Sequence, residues 1–227
     1  MSTQSKVSVL VGTRKGGFIF TSDKKRKKWA VSDVQFKGWN VMHMVMDPRD
    51  TRLHAAVTHF VFGATNHYSD DLGATWTQGP NPPRFGRPSK SGRPAGTPEE
   101  AFSGNPIPET PEEVLKLWNI EPGRADEPGV LYAGVQPAAL FKSTDRGESW
   151  VLNDALFDHP QRGQWNPGAG GMCLHSIVLD PRDPNRMYIA VSAAGVYRTE
   201  DGGKTCQQLS FVKEVSLCEG RTRFEPS

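Results

Sequence analysis

The side chains that could do chemistry in this chain are arginines, histidines and aromatic residues in predicted loops. Arg14 lies in a Gly-Thr-Arg-Lys-Gly-Gly segment between two apolar runs, and His59 follows another apolar run. An aromatic and basic surface of this kind suits stacking on sugar rings and contacts with anions. The candidate ligand-binding residues are Arg14, His43, His59, Arg162, Trp165 and His175.

Several of these residues also have a structural interpretation. Trp118 and His175 lie near the starts of predicted strands, where a core or hydrogen-bonding role is expected. His43 and His59 fit either a ligand contact or an ordinary surface position. Because no histidine has a second histidine one helical turn away or a pair of cysteines beside it, we predict no metal site and no cofactor.

The acidic residues provide no recognisable catalytic pair. Glu121 precedes a proline, as Asp47 and Asp180 do, and this alignment predicts a structural role for it in a turn. Three other carboxylates fall in predicted loops at the end of the strands where propellers usually bind ligands, namely Asp33, Asp154 and Asp158. The sequence does not identify a second carboxylate that would pair with any of them in catalysis. The catalytic residues, if there are any, are therefore unknown from the sequence.

A repeated turn motif must position these loops. The pattern Ser/Thr-x-Asp-x-Gly-x-Thr/Ser occurs at 69–76, 143–150 and 199–206, with Cys206 replacing the tryptophan that ends the first two copies. A worn copy lies at 22–29. The aspartate can accept N–H bonds across a tight turn, and the glycine supplies a positive φ. We call these segments Asp-Gly turns and predict that they are structural hairpin turns.

A second motif precedes each intact Asp-Gly turn at a near-constant offset. It reads Asp-Pro-Arg-Asp at 47–50, Glu-Pro-Gly-Arg at 121–124 and Asp-Pro-Arg-Asp-Pro at 180–184. Proline presets φ and aspartate favours turn positions, so we call these segments Asp-Pro turns. Each unit is then strand, Asp-Pro turn, strand, loop, strand, Asp-Gly turn and strand.

Four antiparallel strands per repeat make a propeller blade. The predicted fold class is therefore all-β, a β-propeller forming an incomplete ring of about four blades. The chain starts within a blade, because its first two runs match the second and third strands of a unit. The predicted strands are 7–13, 18–21, 41–46, 53–57, 66–69, 117–120, 130–135, 140–143, 173–179, 187–192 and 196–199.

These motifs resemble those of Asp-box, or bacterial neuraminidase repeat, proteins, which include sialidases, xyloglucanases and the sortilin ectodomain. Strings such as VLVGTRKGGF, MDPRD and TEDGGKT are similar to a bacterial group described as glycosyl hydrolase or exo-α-sialidase. The resemblance covers 7–206 and implies a sialidase-like propeller that hydrolyses or binds carbohydrate. The alternative is a non-catalytic propeller scaffold that binds a protein or a glycan.

Whether the chain is an enzyme stays open. A glycoside hydrolase needs two carboxylates about 5–5.5 Å or 6.5–9.5 Å apart, and a sialidase also needs arginines for its substrate carboxylate. The segment Pro83-Arg84-Phe85 does not match the Phe-Arg-Ile-Pro arginine site of sialidases. The resemblance therefore indicates the fold more strongly than it indicates an activity.

The resemblance also implies a longer protein than this one. A closed ring needs six or seven blades of roughly 40–45 residues each, and the repeat pattern stops after Thr205. We expect a truncated or frame-shifted reading frame, or a short arc that oligomerises through open blade edges. The predicted organisation is a partial propeller at 1–206, with a proline-rich insertion at 79–116, and an atypical tail at 207–227. Within the insertion, Thr97 and Thr110 each begin a short predicted helix.

Composition limits the partners. The 227 residues carry a net charge of +2, which is too balanced to predict binding to nucleic acid or to a membrane surface. The three cysteines are too few, and odd in number, for a disulfide framework. The N-terminal segment lacks the apolar run of a signal peptide. We therefore predict a cytoplasmic protein with a carbohydrate as its candidate ligand.

Overall fold

A computed structural model of the chain describes residues 6–93, 96–104 and 113–209. The described residues form four antiparallel sheets, of which the first has three strands and the others have four each. In every sheet the strands are hydrogen-bonded in chain order, from one edge to the other. The sheets follow one another as predicted blades, which confirms an incomplete β-propeller of about four blades.

The strand bounds agree with the predicted runs to within a few residues. Blade 1 contains β1 (Val7–Thr13), β2 (Gly16–Ser22) and β3 (Trp29–Val31). Blade 2 contains β4 (Asn40–Met46), β5 (Leu53–His59), β6 (Gly63–Ser69) and β7 (Thr77–Gln78). Blade 3 contains β8 (Lys116–Pro122), β9 (Leu131–Gln136), β10 (Ala139–Ser143) and β11 (Val151–Leu152). Blade 4 contains β12 (Leu174–Leu179), β13 (Met187–Val191), β14 (Gly195–Thr199) and β15 (Gln207–Gln208).

Apolar packing holds each blade to the next. One buried cluster joins blades 1 and 2 and includes Ile19 and Val41. A second joins blades 2 and 3 around Phe141, and a third joins blades 3 and 4 around Tyr197. The strands β4, β8 and β12 contact one another in sequence, with β1 against β4, so they form the inner edge of the arc. The hydrophobic core therefore lies between the sheets, as stacked blades require.

The three intact Asp-Gly turns share one hydrogen-bond pattern. In the first, Ser69 Oγ donates to Asp71 Oδ1 at 2.7 Å and accepts the Gly73 amide at 2.8 Å. Asp71 accepts the amide and the hydroxyl of Thr75 at 2.8 and 2.6 Å. The turns at 143–150 and 199–206 repeat all four bonds. These turns are structural hairpin turns, as predicted.

Backbone conformation explains the glycine of this motif. Gly73 has a φ of 90°, and a Cβ built on it would lie 2.4 Å from Ile19 Cδ1 of the preceding blade. The turn therefore needs glycine for its dihedral angle and for close packing between blades.

The worn copy at 22–29 is a simpler turn. Asp23 Oδ1 accepts only the backbone amides of Lys25 and Arg26, at 2.9 and 3.1 Å. Ser22 Oγ donates to Lys28 O, so it does not bind the aspartate as the intact copies do. Lys24, Arg26 and Lys28 stand at the positions of the motif aspartate, glycine and second hydroxyl residue, so the internal bonds are lost and an exposed basic hairpin remains.

An arginine in the Asp-Pro turn of blade 2 reaches into blade 3. Asp47 holds the Arg49 guanidinium, with Nη2 2.5 Å from Oδ2. The same nitrogen donates to Val130 O at 2.8 Å, and Nη1 donates to the Glu127 carbonyl. Both acceptors belong to the corresponding turn of blade 3. We call this contact the arginine clasp.

Blade 3 makes the same contact with blade 4. Arg124 Nη2 donates to Asp183 O at 3.2 Å and to Arg186 O at 2.9 Å. Hydrogen bonds from a charged donor to backbone carbonyls are stronger than neutral ones. The clasp therefore supplements the apolar packing at two successive blade junctions.

The strand register corrects the alignment of Glu121. The turn of blade 3 begins at Gly123, whose amide closes the turn as the turn aspartates do in blades 2 and 4. Glu121 lies two residues earlier, on β8, at the position that Val45 and Val178 occupy in the other blades. The prediction that Glu121 is the counterpart of the turn aspartates is wrong, because the longer turn of blade 3 shifts the alignment.

The helices are short and lie in the connections between blades. Helix α1 (Pro98–Phe102) starts as predicted, with Thr97 and Glu100 forming a reciprocal capping box. The second predicted helix start, at Thr110, lies outside the described residues. Helix α2 (Asp154–Phe157) and a 3₁₀ helix (Arg162–Gln164) were not predicted. No helix in the described part of the chain is long and apolar enough to span a bilayer.

Candidate functional site

The two ends of the blades carry different connections. The Asp-Pro and Asp-Gly turns lie at one end, which we call the turn face. The loops between second and third strands, and those between blades, lie at the other end, which we call the loop face. Most of the predicted ligand-binding residues belong to the loop face, so the search for a site starts there.

Four aromatic rings come together on the loop face of blade 2. The His59 ring lies 4.4 Å from Trp39, 4.5 Å from Phe60 and 4.9 Å from Phe62, measured between ring centroids. Phe60 is 93% exposed and Phe62 is 65% exposed. We call Trp39, His59, Phe60 and Phe62 the aromatic platform. It combines the predicted candidate His59 with a row of solvent-facing rings.

Local structure fixes the shape of this platform. His59 Nδ1 accepts the Val61 amide at 3.1 Å, and Gly63 closes the loop with a φ of 73°. Below the surface, the Trp39 ring lies 6.0 Å from the buried His67 ring and 6.5 Å from Phe36. Burial lowers the pKa of His67 to about 4, so this supporting ring is neutral at pH 7. The exposed rings therefore rest on a packed, uncharged base.

A pocket adjoins the platform. It has a volume of about 440 Å³, and Phe62 forms part of its wall. Arg84 and Glu113, both exposed, line the same pocket. A ring for stacking, a guanidinium donor and a carboxylate acceptor thus border one cavity. This combination can hold a ligand that has apolar faces and many hydroxyl groups.

The other exposed candidates lie away from the platform. Arg14 is exposed in the β1–β2 turn, whose backbone is held by Thr13 Oγ1. His175 is exposed at a bulge of β12, with Nδ1 2.8 Å from Ser176 Oγ. Both remain accessible side chains, and no described contact joins either of them to the platform.

His43 is tied to the inner edge of the arc. Its Nδ1 accepts the Ile120 amide at 3.4 Å, across the junction of blades 2 and 3. Burial lowers the pKa of His43. The ring is therefore neutral at pH 7 and engaged in a contact between blades.

Arg162 and Trp165 lie inside the connection between blades 3 and 4. Arg162 is 0% exposed, donates to Ala138 O at 2.5 Å and lies 4.4 Å above the Phe157 ring. Trp165 is buried and packs 5.5 Å from Tyr197. In this arrangement both side chains support the loop, and a ligand at the surface would not contact them.

One arginine binds two of the loop-face carboxylates. Arg87 Nη2 lies 2.5 Å from Asp154 Oδ1 and 2.8 Å from Asp158 Oδ2. The hydrogen bond from Arg87 lowers the pKa of Asp158. The Arg87 guanidinium therefore occupies the space between these two carboxylates. This pair fastens the insertion to blade 3 and is unsuited to acid catalysis.

Sequence reasoning proposed His59 as a ligand contact, but it did not anticipate Phe62, Arg84 and Glu113, which line the neighbouring pocket. The signal for Phe62 was present, because His-Phe-Val-Phe joins two strands where polar turn residues are usual. Nothing in the sequence brings Arg84 and Glu113 together. The proline-rich insertion lies between them, and only the fold shows that they line the same pocket.

Comparison with known proteins was informative mainly about the fold. No protein-family profile matches the chain. A curated relative, a probable oligoxyloglucan-reducing end-specific xyloglucanase of Neosartorya fischeri, is 27% identical over 170 residues, covering 73% of this chain and 17% of the relative. The chain therefore spans less than a fifth of that enzyme's length.

The solved structures that resemble the chain include two propellers from different proteins. The GH74 enzyme of Niastella koreensis superposes with a TM-score of 0.55 at 20% identity, covering 90% of this chain and 28% of that one. YCF48 bound to D1 peptide superposes with a TM-score of 0.53 at 14% identity, covering 92% and 50%. The likeness is one of fold. Membership of the Asp-box family stays a prediction from the turn motifs.

Proposed function

We propose that the chain binds oligosaccharides on its loop face, with the aromatic platform as the contact surface. The observation that carries this proposal is the exposure of Phe60 and Phe62, whose rings both lie against His59. Monomeric proteins rarely expose contiguous apolar groups without a binding role. Flat rings with little rotamer freedom pack well against the apolar faces of sugars.

The neighbouring pocket supports the same ligand class. Arg84 can donate hydrogen bonds to sugar hydroxyl groups, and the Glu113 carboxylate can accept them. The sequence similarity to a xyloglucanase favours a β-linked glucan of the xyloglucan type over other glycans. We therefore propose a xyloglucan-like oligosaccharide lying across the platform, with its hydroxyl groups directed into the pocket.

The proposal concerns binding, because the three loop-face carboxylates singled out in the sequence are not arranged as a catalytic pair. Asp154 and Asp158 are both occupied by Arg87, and Asp33 is exposed on a different loop. The broader possibility of a glycoside hydrolase would require a carboxylate pair other than these. A sialidase-like or protein-binding propeller would bind other ligands at the same face.

The test is calorimetric titration of the whole chain with xyloglucan oligosaccharides. We expect saturable binding, and we expect Phe60→Ala to weaken it about tenfold because a stacked ring contributes on the order of 1–3 kcal/mol. Phe102→Ala is the matched control, since Phe102 is 85% exposed on helix α1 but lies outside the platform. It should leave the affinity unchanged.

Two results would contradict the proposal. One is the absence of binding to any of the oligosaccharides. The other is equal weakening by the Phe60 and Phe102 substitutions, which would indicate non-specific adsorption. Appearance of new reducing ends during incubation, abolished by a single Asp or Glu substitution, would show instead that the chain hydrolyses the glycan.

A further inference from the structure

A second cavity opens on the turn face, at the inner edge of the arc. Its volume is about 640 Å³, and it lies between the Asp-Pro turns of blades 2, 3 and 4. The walls are mainly apolar, with Val45, Met46 and Leu179 from the inner strands. Proline rings complete the wall, namely Pro48, Pro122, Pro181 and Pro184. We call this cavity the axial pocket.

A half-buried carboxyl group without a partner among the described residues lines this pocket. Glu121 occupies the strand position where blades 2 and 4 have Val45 and Val178, so a charge replaces an aliphatic side chain. Glu121 is half-buried, and it forms no hydrogen bond or ion pair with any residue of the described ranges. An ionised carboxylate that loses water without gaining a partner is destabilised.

The other charged groups of the pocket are already paired or solvated. Arg124 is engaged in the clasp with blade 4. Asp180 accepts the Arg182 amide and contacts the guanidinium groups of Arg182 and Arg186 at 3.4 Å. The Arg182 side chain is 87% exposed, and Asp126 is exposed at the rim. Glu121 alone among them is half-buried without a counter-ion.

We propose that the axial pocket binds an organic ammonium ion with an apolar body, and that the Glu121 carboxylate is its counter-ion. The apolar walls match the body of such a ligand, and the ammonium group supplies the hydrogen-bond donors that Glu121 lacks. This site lies on the opposite face from the aromatic platform and does not depend on the carbohydrate proposal.

Electrostatics favours an ammonium ion over the other ligand types. An anion would approach Arg182, whose charge is already solvated, and would be repelled by the unpaired Glu121. A neutral ligand would leave the carboxylate without a counter-ion. Burial raises the pKa of the Glu121 carboxyl above its usual value. Since the ligand binds the ionised form, its affinity rises as the pH increases through that raised pKa and then stays constant until the ammonium group itself deprotonates at about pH 10.

The experiment compares three probes of the same size with the whole chain at pH 8, namely cyclohexylammonium, cyclohexanol and cyclohexanecarboxylate. The ammonium ion should bind at least about tenfold more tightly than the alcohol, as a charge-assisted hydrogen bond predicts. Glu121→Gln should remove this preference while keeping the shape of the side chain. Asp126→Asn removes one charge from the exposed rim of the same pocket and should retain most of it.

Three results would overturn the proposal. They are equal affinities for the three probes, tightest binding of the carboxylate, and an unchanged preference for the ammonium ion in Glu121→Gln. A second measurement does not depend on any variant. The carboxyl ¹³C resonance of Glu121 reports its titration in the unsubstituted chain, and saturation with cyclohexylammonium should lower the pKa by about one unit if the affinity changes tenfold. A pKa that does not respond would also refute the site.

Discussion

The turn face and the loop face of this molecule are built in opposite ways. On the turn face, three Asp-Gly turns repeat the same four hydrogen bonds, and the arginine clasp recurs at two junctions. On the loop face, each connection has its own length and contacts, from the short β1–β2 turn to the insertion that follows β7. The fold is stabilised by the repeated face, whereas the candidate sugar site uses residues that occur once.

This difference separates stability from binding. Residues of the Asp-Gly turns hydrogen-bond to their own turn and are occupied by it. The rings of the aromatic platform contact mainly one another and solvent. Substitutions on the turn face should therefore change the melting temperature, and substitutions on the platform should change ligand affinity.

The largest expected effect is the loss of an intact Asp-Gly turn. Asp145 accepts hydrogen bonds from Ser143 Oγ, Ser149 N and Ser149 Oγ at 2.7, 2.9 and 2.5 Å. We expect Asp145→Ala to destabilise the chain by about 2–3 kcal/mol, since several donors lose their acceptor at once. Thermal unfolding followed by circular dichroism should show a decrease in Tm of roughly 5–10 °C.

The worn copy provides the control for that substitution. Asp23 accepts only two backbone amides in an exposed turn, so Asp23→Ala should cost less than half as much. Equal effects of the two substitutions would mean that the hydroxyl bonds of the intact turns do not contribute to stability.

Acid should destabilise the chain in two stages, first beneath the aromatic platform and then at the Asp-Gly turns. Burial lowers the pKa of His67 from 6.5 to about 4, so its contribution is present above pH 6.5 and is lost as the pH falls towards 4. The Thr75 hydroxyl, followed by the Thr75 amide, lowers the pKa of Asp71 from 3.8 to about 2. That contribution is present above pH 3.8 and is lost as the pH falls through about 2.

Melting curves between pH 8 and pH 2 test this sequence of events. Between pH 6.5 and pH 4 the Tm of the unsubstituted chain should decrease, and we expect His67→Gln to make this decrease smaller by roughly 3–5 °C. Asp71→Asn should lower Tm throughout the range above pH 3.8, and its difference from the unsubstituted chain should shrink only as the pH falls towards 2. A decrease in Tm confined to pH values above 6.5 would contradict both assignments.

The smallest expected effect on stability lies on the platform. Phe60 is 93% exposed, so Phe60→Ala removes little buried surface and should change Tm by less than about 1 °C. A large decrease in Tm would show that the platform is part of the core. The oligosaccharide titration and this melting curve together decide whether the two faces are functionally separate.

The repeated parts of the fold were predictable because their signals are local. The motif around Asp71 specifies a hairpin by itself, and Thr97 with Glu100 specifies a helix start. The spacing of these signals was enough to predict four-stranded units. The bounds of the predicted strands were therefore correct to within a few residues.

The unpredicted parts depend on contacts between distant residues. Arg162 was a ligand candidate, but its environment comes from Phe157 and Ala138, which the unpredicted helix α2 and the β9–β10 turn bring to it. Glu121 was misaligned because its turn is longer than those of blades 2 and 4, which leaves the Glu-Pro dipeptide on the strand. A motif alignment without the strand register cannot detect such a shift.

The arginine clasp always runs in one direction, from the turn of one blade to the carbonyl oxygens of the next. Arg49 and Arg124 occupy different places in their turns, yet both satisfy this rule. The array of blades therefore has a polarity, because one side of the junction supplies the guanidinium donor and the other side supplies the carbonyl acceptors. A copy of blade 3 inserted in frame after blade 3 would present acceptors to the preceding blade and a donor to the following one. Gene duplication could therefore lengthen such an array without new contacts at the blade junctions.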